Sequence, residues 1–146
     1  MAKKMDFDFD YELRGEKLII VSFKYDNKNH FRKYFDKIQP SAKKTFINIV
    51  TLMKDEVGFN ISNRRKFEWL KDYYKQGEIK THDPGHRFSL TNYHYEKLFM
   101  ILVLGFLKRG NKAQLHIRES YEKTDRFIKM MMEDENELRK KLRKFL

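Results

Sequence analysis

The sequence predicts an α+β fold, with a small antiparallel-rich sheet, an N-terminal helical hairpin and a C-terminal helix. Two observations support it: apolar runs of strand composition and apolar residues at helical spacing, which occur in separate stretches. With 146 residues, the chain has the size of one domain, which we assign to residues 1–146. Within it, residues 1–16 form an edge strand or a flexible lead-in, and residues 133–146 extend the C-terminal helix.

The N-terminal half predicts one strand followed by helices. Residues 17–25 (KLIIVSFKY) are rich in β-branched and aromatic residues, which favour a core strand. Residues 30–38 and about 42–57 carry apolar side chains at helical spacing, and Pro40 interrupts them, so they predict a helical hairpin. A further amphipathic segment at residues 65–74 predicts another helix.

The C-terminal half predicts a β-meander and a long helix. Residues 78–82 are a candidate short strand, and residues 87–95 (RFSLTNYHY) have strand composition. The nearly continuous apolar run at residues 97–107 predicts a central strand buried on both faces. Residues 112–132 predict a helix. We expect the helices to lie on one side of the sheet, which leaves the other face open to bind a partner.

The composition points to an anionic partner and excludes several kinds of site. Lys and Arg number 32 against 21 acidic residues, for a formal net charge of +11, and 13 Phe and 8 Tyr accompany them. Cations interleaved with aromatics suit single-stranded nucleic acid. The absence of cysteine excludes disulfides and thiolate chemistry. With no signal peptide, and with residues 98–105 too short to span a bilayer, we expect a cytoplasmic protein without a membrane partner.

A basic turn follows the predicted central strand. Lys108, Arg109 and Lys112 occur within the stretch LKRGNKA. Arg87 begins the preceding strand, so an antiparallel pairing of the two strands places Arg87 and Lys108 at the same end of the sheet. Arginine binds phosphate well because its planar fork matches the phosphate oxygens and stays charged. The turn therefore predicts a phosphate site.

The order of elements and this turn resemble the RelE superfamily of toxin–antitoxin ribonucleases, most closely its HigB-like, phage-derived branch. The segment from Leu104 to Lys112 (LGFLKRGNK) is similar to the HGF-x-K-K segment of that branch, although Leu104 replaces its histidine and Ala113 replaces the threonine of its Thr-Pro turn. His86-Arg87-Phe88 resembles the family's arginine-containing strand. The resemblance implies a type II toxin that cleaves mRNA, in some members on the ribosome, and that is neutralised by a cognate antitoxin protein.

That resemblance also implies a metal-independent reaction in which the 2′-hydroxyl of the mRNA attacks the neighbouring phosphate. Such a reaction needs a proton acceptor, a proton donor and cations that stabilise the phosphate. The candidate catalytic residues are Arg87, His86, His82 and Lys108. The candidate RNA-binding residues are Lys80, Tyr93, Tyr95, Arg109 and Lys112.

Two alternatives to this assignment stay open at the level of sequence, a non-catalytic nucleic-acid-binding protein and a protein-interaction module whose charge serves only to dock an acidic partner, whereas a metal site is not expected. His82 and His86 are four residues apart, as metal ligands on a helix can be, but Pro84-Gly85 forbids that helix, and we expect neither a metal nor a cofactor. A non-catalytic nucleic-acid-binding protein, such as a phage regulator, would show the same charge and aromatic content.

Overall fold

A computed structural model describes residues 6–82, 85–108 and 114–146. The strands are β1 (Phe7–Arg14), β2 (Ile19–Tyr25), β3 (Phe67–Trp69), β4 (Gly77–Lys80), β5 (His86–Tyr95) and β6 (Lys97–Leu107). The helices are α1 (His30–Phe35), α2 (Pro40–Leu52), α3 (Gln114–Glu133) and α4 (Glu135–Leu142). A π-helical turn at Met53–Val57 continues α2, and a 3-10 turn at Arg143–Phe145 follows α4.

The strands form one six-stranded mixed sheet in the order β1-β2-β6-β5-β4-β3. β2 and β6 are parallel, and the other neighbouring pairs are antiparallel. The strands β2 and β6 lie in the interior of the sheet, which explains why their sequences are almost continuously apolar. β1 closes one edge, and its outward-facing Asp8 and Asp10 pair with Lys144 and Lys24. Charged side chains of this kind discourage pairing with another chain.

Helices cover both faces of the sheet, so the predicted open face is wrong. On one face, here the α3 face, strand residues such as Ile19 and Phe99 pack with Ile128 of α3 and Leu138 of α4. On the opposite face, the α2 face, the alternate strand residues pack against Phe31 of α1 and against Phe46, Ile49 and Val50 of α2. Alternation along each strand sends neighbouring side chains to opposite faces, and here both faces find an apolar partner.

The predicted fold is wrong in a second respect, because residues 6–82 as the structure describes them do not contain the N-terminal helical hairpin. α1 has only six residues and packs mainly on β2 and β6, while α2 continues into the π-helical turn and reaches β4. The six-stranded mixed sheet replaces the small sheet with a hairpin that was expected. Helical spacing is a local signal, and it does not specify whether two successive helices pair with each other or with a sheet.

The predicted helix at residues 65–74 is also wrong. Phe67–Trp69 forms β3, which pairs with β4, and Leu70 N donates to the Gln76 carbonyl across the turn between them. The ring of Phe67 is buried between Phe59 and Trp69. Aromatic residues favour strands, and pairing with β4 outweighs the helical spacing of this short segment.

Candidate functional site

Three predicted cations converge where β4 ends, β5 begins and β6 ends. Lys80 is the cross-strand partner of Arg87, so both side chains lie on the same face of the sheet. Lys108 follows the end of β6, and its backbone N–H donates to the Gly85 carbonyl at 2.8 Å. The hairpin of β5 and β6 therefore places Arg87 and Lys108 at one end of the sheet.

Arg87 is held on the α3 face by a buried polar network. Its Nη1 donates to the carbonyls of Thr81 and His86 at 3.3 and 3.2 Å, and its Nε lies 3.9 Å from Oε1 of Glu78. Only 2% of the Glu78 side chain is exposed, and its Oε2 accepts a hydrogen bond of 2.7 Å from the hydroxyl of Tyr121 on α3. Burial, followed by the Glu78 carboxylate, raises the pKa of Tyr121. Tyr121 therefore stays protonated and remains a donor.

Lys80 pairs with a carboxylate that the sequence did not single out. Its Nζ lies 2.6 Å from Oε1 of Glu68 on β3, and 34% of the Glu68 side chain is exposed. The hydrogen bond from Lys80 lowers the pKa of Glu68, and the charges of Arg64 and Lys108 lower it further. On the α3 face of this sheet end, the Glu68 carboxylate is therefore surrounded by positively charged side chains. The group of Glu68, Glu78, Lys80, Arg87, Lys108 and Tyr121 is called the sheet-end cluster below.

His86 points away from the sheet-end cluster. Consecutive residues of a strand face opposite sides, so His86 lies on the α2 face while Arg87 lies on the α3 face. His86 is buried, its Nδ1 is hydrogen-bonded to the Tyr34 hydroxyl, and its Nε2 lies 3.4 Å from Oε1 of Gln39. Burial raises the pKa of Tyr34 to about 12. The structure does not bring His86 and Arg87 into one site.

His82 is exposed just after β4, where its Nε2 lies 2.7 Å from the Arg65 carbonyl. It lines a cavity beside α2 together with Asn48 and Lys66. His82 is accessible to a ligand, and Lys80 of the sheet-end cluster lines the same cavity. The other lining residues belong to α2 and the loop before β3, and none of them belongs to α3.

The other predicted RNA-binding residues do not join the cluster. Tyr93 and Tyr95 lie near the opposite end of β5, roughly 20 Å or more along the strand from Arg87 at about 3.3 Å per residue. Their hydroxyls accept hydrogen bonds from Arg139 and Arg143, at 2.9 and 3.2 Å. These two tyrosines hold the C-terminal helices against the sheet. Arg109 and Lys112 lie outside the described residues.

The functional residues that the sequence reasoning missed are the acidic and phenolic members of the cluster. Glu78 had a usable signal, because an acid two residues before Lys80 in a predicted strand shares its face. Glu68 was hidden by the wrong helix prediction for residues 65–74. Tyr121 lies within the predicted helix at residues 112–132, where it was a candidate core position, and its ring packs edge-on against Phe106.

Across residues 6–82, 85–108 and 114–146, no group of three or more His, Asp or Glu side chains is placed to hold a metal ion. No helix in those ranges is both long and apolar enough to cross a membrane. Comparison with known proteins found no matching family model, no matching curated protein and no matching solved structure.

Proposed function

We propose that this protein is a toxin-like mRNA endoribonuclease that cleaves without a metal through the 2′-hydroxyl of its substrate. The observation that carries the proposal is the placing of Lys80 and Arg87 as cross-strand partners on one face, with Lys108 at the end of the neighbouring strand. Three cations at one sheet end suit the charge that gathers on a phosphate during cleavage. The resemblance of residues 86–113 to RelE superfamily toxins supports the same activity.

Within this proposal, the role of each residue of the sheet-end cluster follows from how exposed its side chain is. Arg87 is held in place by Glu78 and binds a non-bridging phosphate oxygen, while Lys80 and the exposed Lys108 stabilise the developing charge. Glu68 is the more accessible carboxylate, and it accepts the proton of the 2′-hydroxyl as that oxygen bonds to phosphorus. The bond between phosphorus and the 5′-oxygen breaks, and the exposed Lys108 donates a proton to the leaving 5′-oxygen, which leaves a cyclic phosphate and a free 5′-hydroxyl. A carboxylate with a lowered pKa is a weak base, so electrostatic stabilisation carries most of the rate enhancement.

The partners and location follow from the same proposal. The substrate is mRNA, and the ribosome is a docking partner if cleavage depends on translation. A cognate antitoxin protein neutralises the toxin, and an acidic one would match the net charge of +11. The site of action is the cytoplasm.

The test is controlled expression in bacterial cells, with growth followed and the 5′ ends of mRNA mapped. Arg87→Ala would leave Glu78 buried without its cation and could unfold the protein, so Arg87→Lys and Lys108→Ala are the informative variants. Lys cannot reproduce the planar fork, so Arg87→Lys should abolish cleavage ends while the protein stays folded. Arg126→Ala, which removes an exposed charge elsewhere on α3, is the matched control and should remain toxic.

A second function is favoured by a specific observation. Arg87 and Lys80 already pair with carboxylates, and the buried His86 lies on the opposite face, so the protein could hold RNA without cleaving it. A non-catalytic nucleic-acid-binding protein would leave growth and mRNA ends unchanged. Its affinity for RNA would fall gradually as cations are removed. Normal growth with soluble protein would replace the toxin proposal with this one.

A further inference from the structure

A groove separate from the sheet-end cluster lies between α1 and α3. The pairing of β2 with β6 ends at Ser22 and Leu102, whereas β6 continues to Leu107. Beside this last part of β6 there is a cavity of about 460 Å³, here called the α1–α3 groove. Its floor is residues 104–106, and its side walls are His30, Lys33, Tyr34, Lys37, His116, Ser120, Lys123 and one carboxylate, Glu119. This volume is typical of sites for small organic ligands.

The wall formed by Tyr34 offers an aromatic surface directly beside the floor of the groove. Gly105 allows the Tyr34 ring to lie directly against β6, because a Cβ at position 105 would be only 2.9 Å from Cγ of that ring. The Tyr34 hydroxyl is anchored by His86, so the ring has a fixed position. A fixed aromatic ring beside Leu104 and Phe106 can stack or pack against a planar base.

The walls of the groove carry three lysines that form no ion pair with the part of the chain that the structure describes. Lys33, Lys37 and Lys123 line it, and none of the three Nζ atoms has a carboxylate oxygen within 4.0 Å among the described residues. Lys123 lies four residues after Glu119, a spacing at which helical pairs often form, yet this pair is not formed. The lysines of the groove therefore differ from Lys80, which is already neutralised by Glu68.

Two histidines complete the groove. The half-buried His30 stacks on Phe127 with the ring centroids 5.8 Å apart. Burial lowers the pKa of His30, and the charges of Lys123, Lys28 and Lys33 lower it further. A neutral imidazole can donate to or accept from the edge of a base or a ribose hydroxyl. His116 is exposed on the first part of α3.

We infer that the α1–α3 groove binds one unpaired nucleotide of a single-stranded RNA. The base lies on the ring of Tyr34, and the phosphates on either side of it contact Lys33, Lys37 and Lys123. An apolar floor with unpaired cations around it matches a nucleotide, which is a planar base joined to anions. A base inside a duplex could reach the floor only by leaving its stack. The choice of RNA rests on the proposed function, while the groove itself rests on these contacts.

The test is fluorescence anisotropy with a labelled oligouridine of about twelve nucleotides, within the range of site sizes for single-strand binders. Its 2′-hydroxyls are methylated, so cleavage cannot occur and binding is measured alone. The groove variant is Lys33→Ala, Lys37→Ala and Lys123→Ala together. The matched control removes three exposed lysines elsewhere, with Lys44→Ala, Lys97→Ala and Lys140→Ala together. Both variants lose the same charge, and circular dichroism confirms that each is folded.

At salt concentrations from about 50 to 200 mM, the Kd of the groove variant should be about tenfold or more higher than that of the wild type. The Kd of the control variant should differ from that of the wild type much less. The slope of log Kd against log salt should fall by about 2 for the groove variant, since each phosphate contact on a single strand contributes about 0.7. The wild type should prefer this strand to the matching duplex, and the groove variant should lose that preference. Equal losses in both variants, or equal binding of strand and duplex by the wild type, would overturn the inference.

The two proposals can fail separately. If the groove binds the methylated strand but Arg87→Lys leaves mRNA ends unchanged in cells, the ribonuclease proposal fails and the groove stands. If cleavage depends on Arg87 but the groove variant binds as the control does, the groove inference fails and the ribonuclease proposal stands.

Discussion

Gly105→Ala tests the packing that joins the end of β6 to α1. The new Cβ would lie 2.9 Å from Cγ and 3.1 Å from Cε1 of Tyr34, and closer still to Cδ1. The ring cannot move aside without breaking its hydrogen bond to His86. Overpacking costs about 1–3 kcal/mol and the lost hydrogen bond about 1 kcal/mol, so we expect a destabilisation of about 2–4 kcal/mol.

Urea unfolding followed by circular dichroism measures this loss. With a slope of about 2 kcal/mol per M, the unfolding midpoint should fall by about 1–2 M. The control is the same substitution in a Tyr34→Ala background, where the clash is absent. There, Gly105→Ala should be neutral or stabilising, because glycine within a strand is less favourable than alanine by about 0.5–1 kcal/mol. A cost below about 0.5 kcal/mol in the wild type, or an equal cost in both backgrounds, would refute the reasoning.

Three further predictions concern charge. Glu78→Ala should destabilise the protein by about 3–5 kcal/mol in urea unfolding, because it leaves the buried cation of Arg87 without its carboxylate partner. Glu78→Gln should destabilise the protein less. The raised pKa of Tyr34, about 12 against an ordinary 10.0, contributes stability that is present below pH 10 and lost as the pH rises towards 12. Unfolding between these pH values should show a smaller decline for Tyr34→Phe than for the wild type. Lys123→Ala should raise the pKa of His30 in an NMR titration, since the charge of Lys123 lowers it.

Each of these predictions has a clear contrary result. Equal stability of Glu78→Ala and the wild type would mean that the buried pair contributes nothing. A parallel loss of stability in the wild type and Tyr34→Phe at high pH would assign the decline to other tyrosines. An unchanged pKa of His30 in Lys123→Ala would show that the charge of Lys123 does not act on His30. It would also count against the inference that the α1–α3 groove binds a nucleotide.

The strands of the C-terminal half could be predicted well because their signals are strong and local. The apolar run of β6 is continuous, and β5 has strand composition with a short turn between them. Counting along that hairpin was enough to place Arg87 and Lys108 at one sheet end. The apolar run of β6 also argued against the prediction of a sheet with helices on one side only. A strand that is buried on both faces requires a sheet that is covered on both faces.

The N-terminal half was less predictable because its elements depend on distant partners. Residues 67–69 have helical spacing with their neighbours, but pairing with β4 makes them a strand. The segments that became α1 and α2 are helical, yet their packing was decided by the apolar face of a sheet whose other strands come later in the chain. The local spacing of apolar residues does not predict contacts with segments that are distant in the sequence.

The sequence by itself determined the elements β2, β5, β6 and α2, the positive charge, and the meeting of Arg87 and Lys108 at one end of the β5–β6 hairpin. The place of Lys80 beside Arg87 came from the pairing of β4 with β5. Only the tertiary structure decided which side chains share a face. It separated His86 from Arg87, paired Lys80 with Glu68, and gathered Lys33, Lys37 and Lys123 around one groove. The physical reason is that hydrophobic spacing and strand composition act between near neighbours. Pairing of charges and the shape of a groove arise from residues that are brought together only when the sheet and its two helical layers have formed.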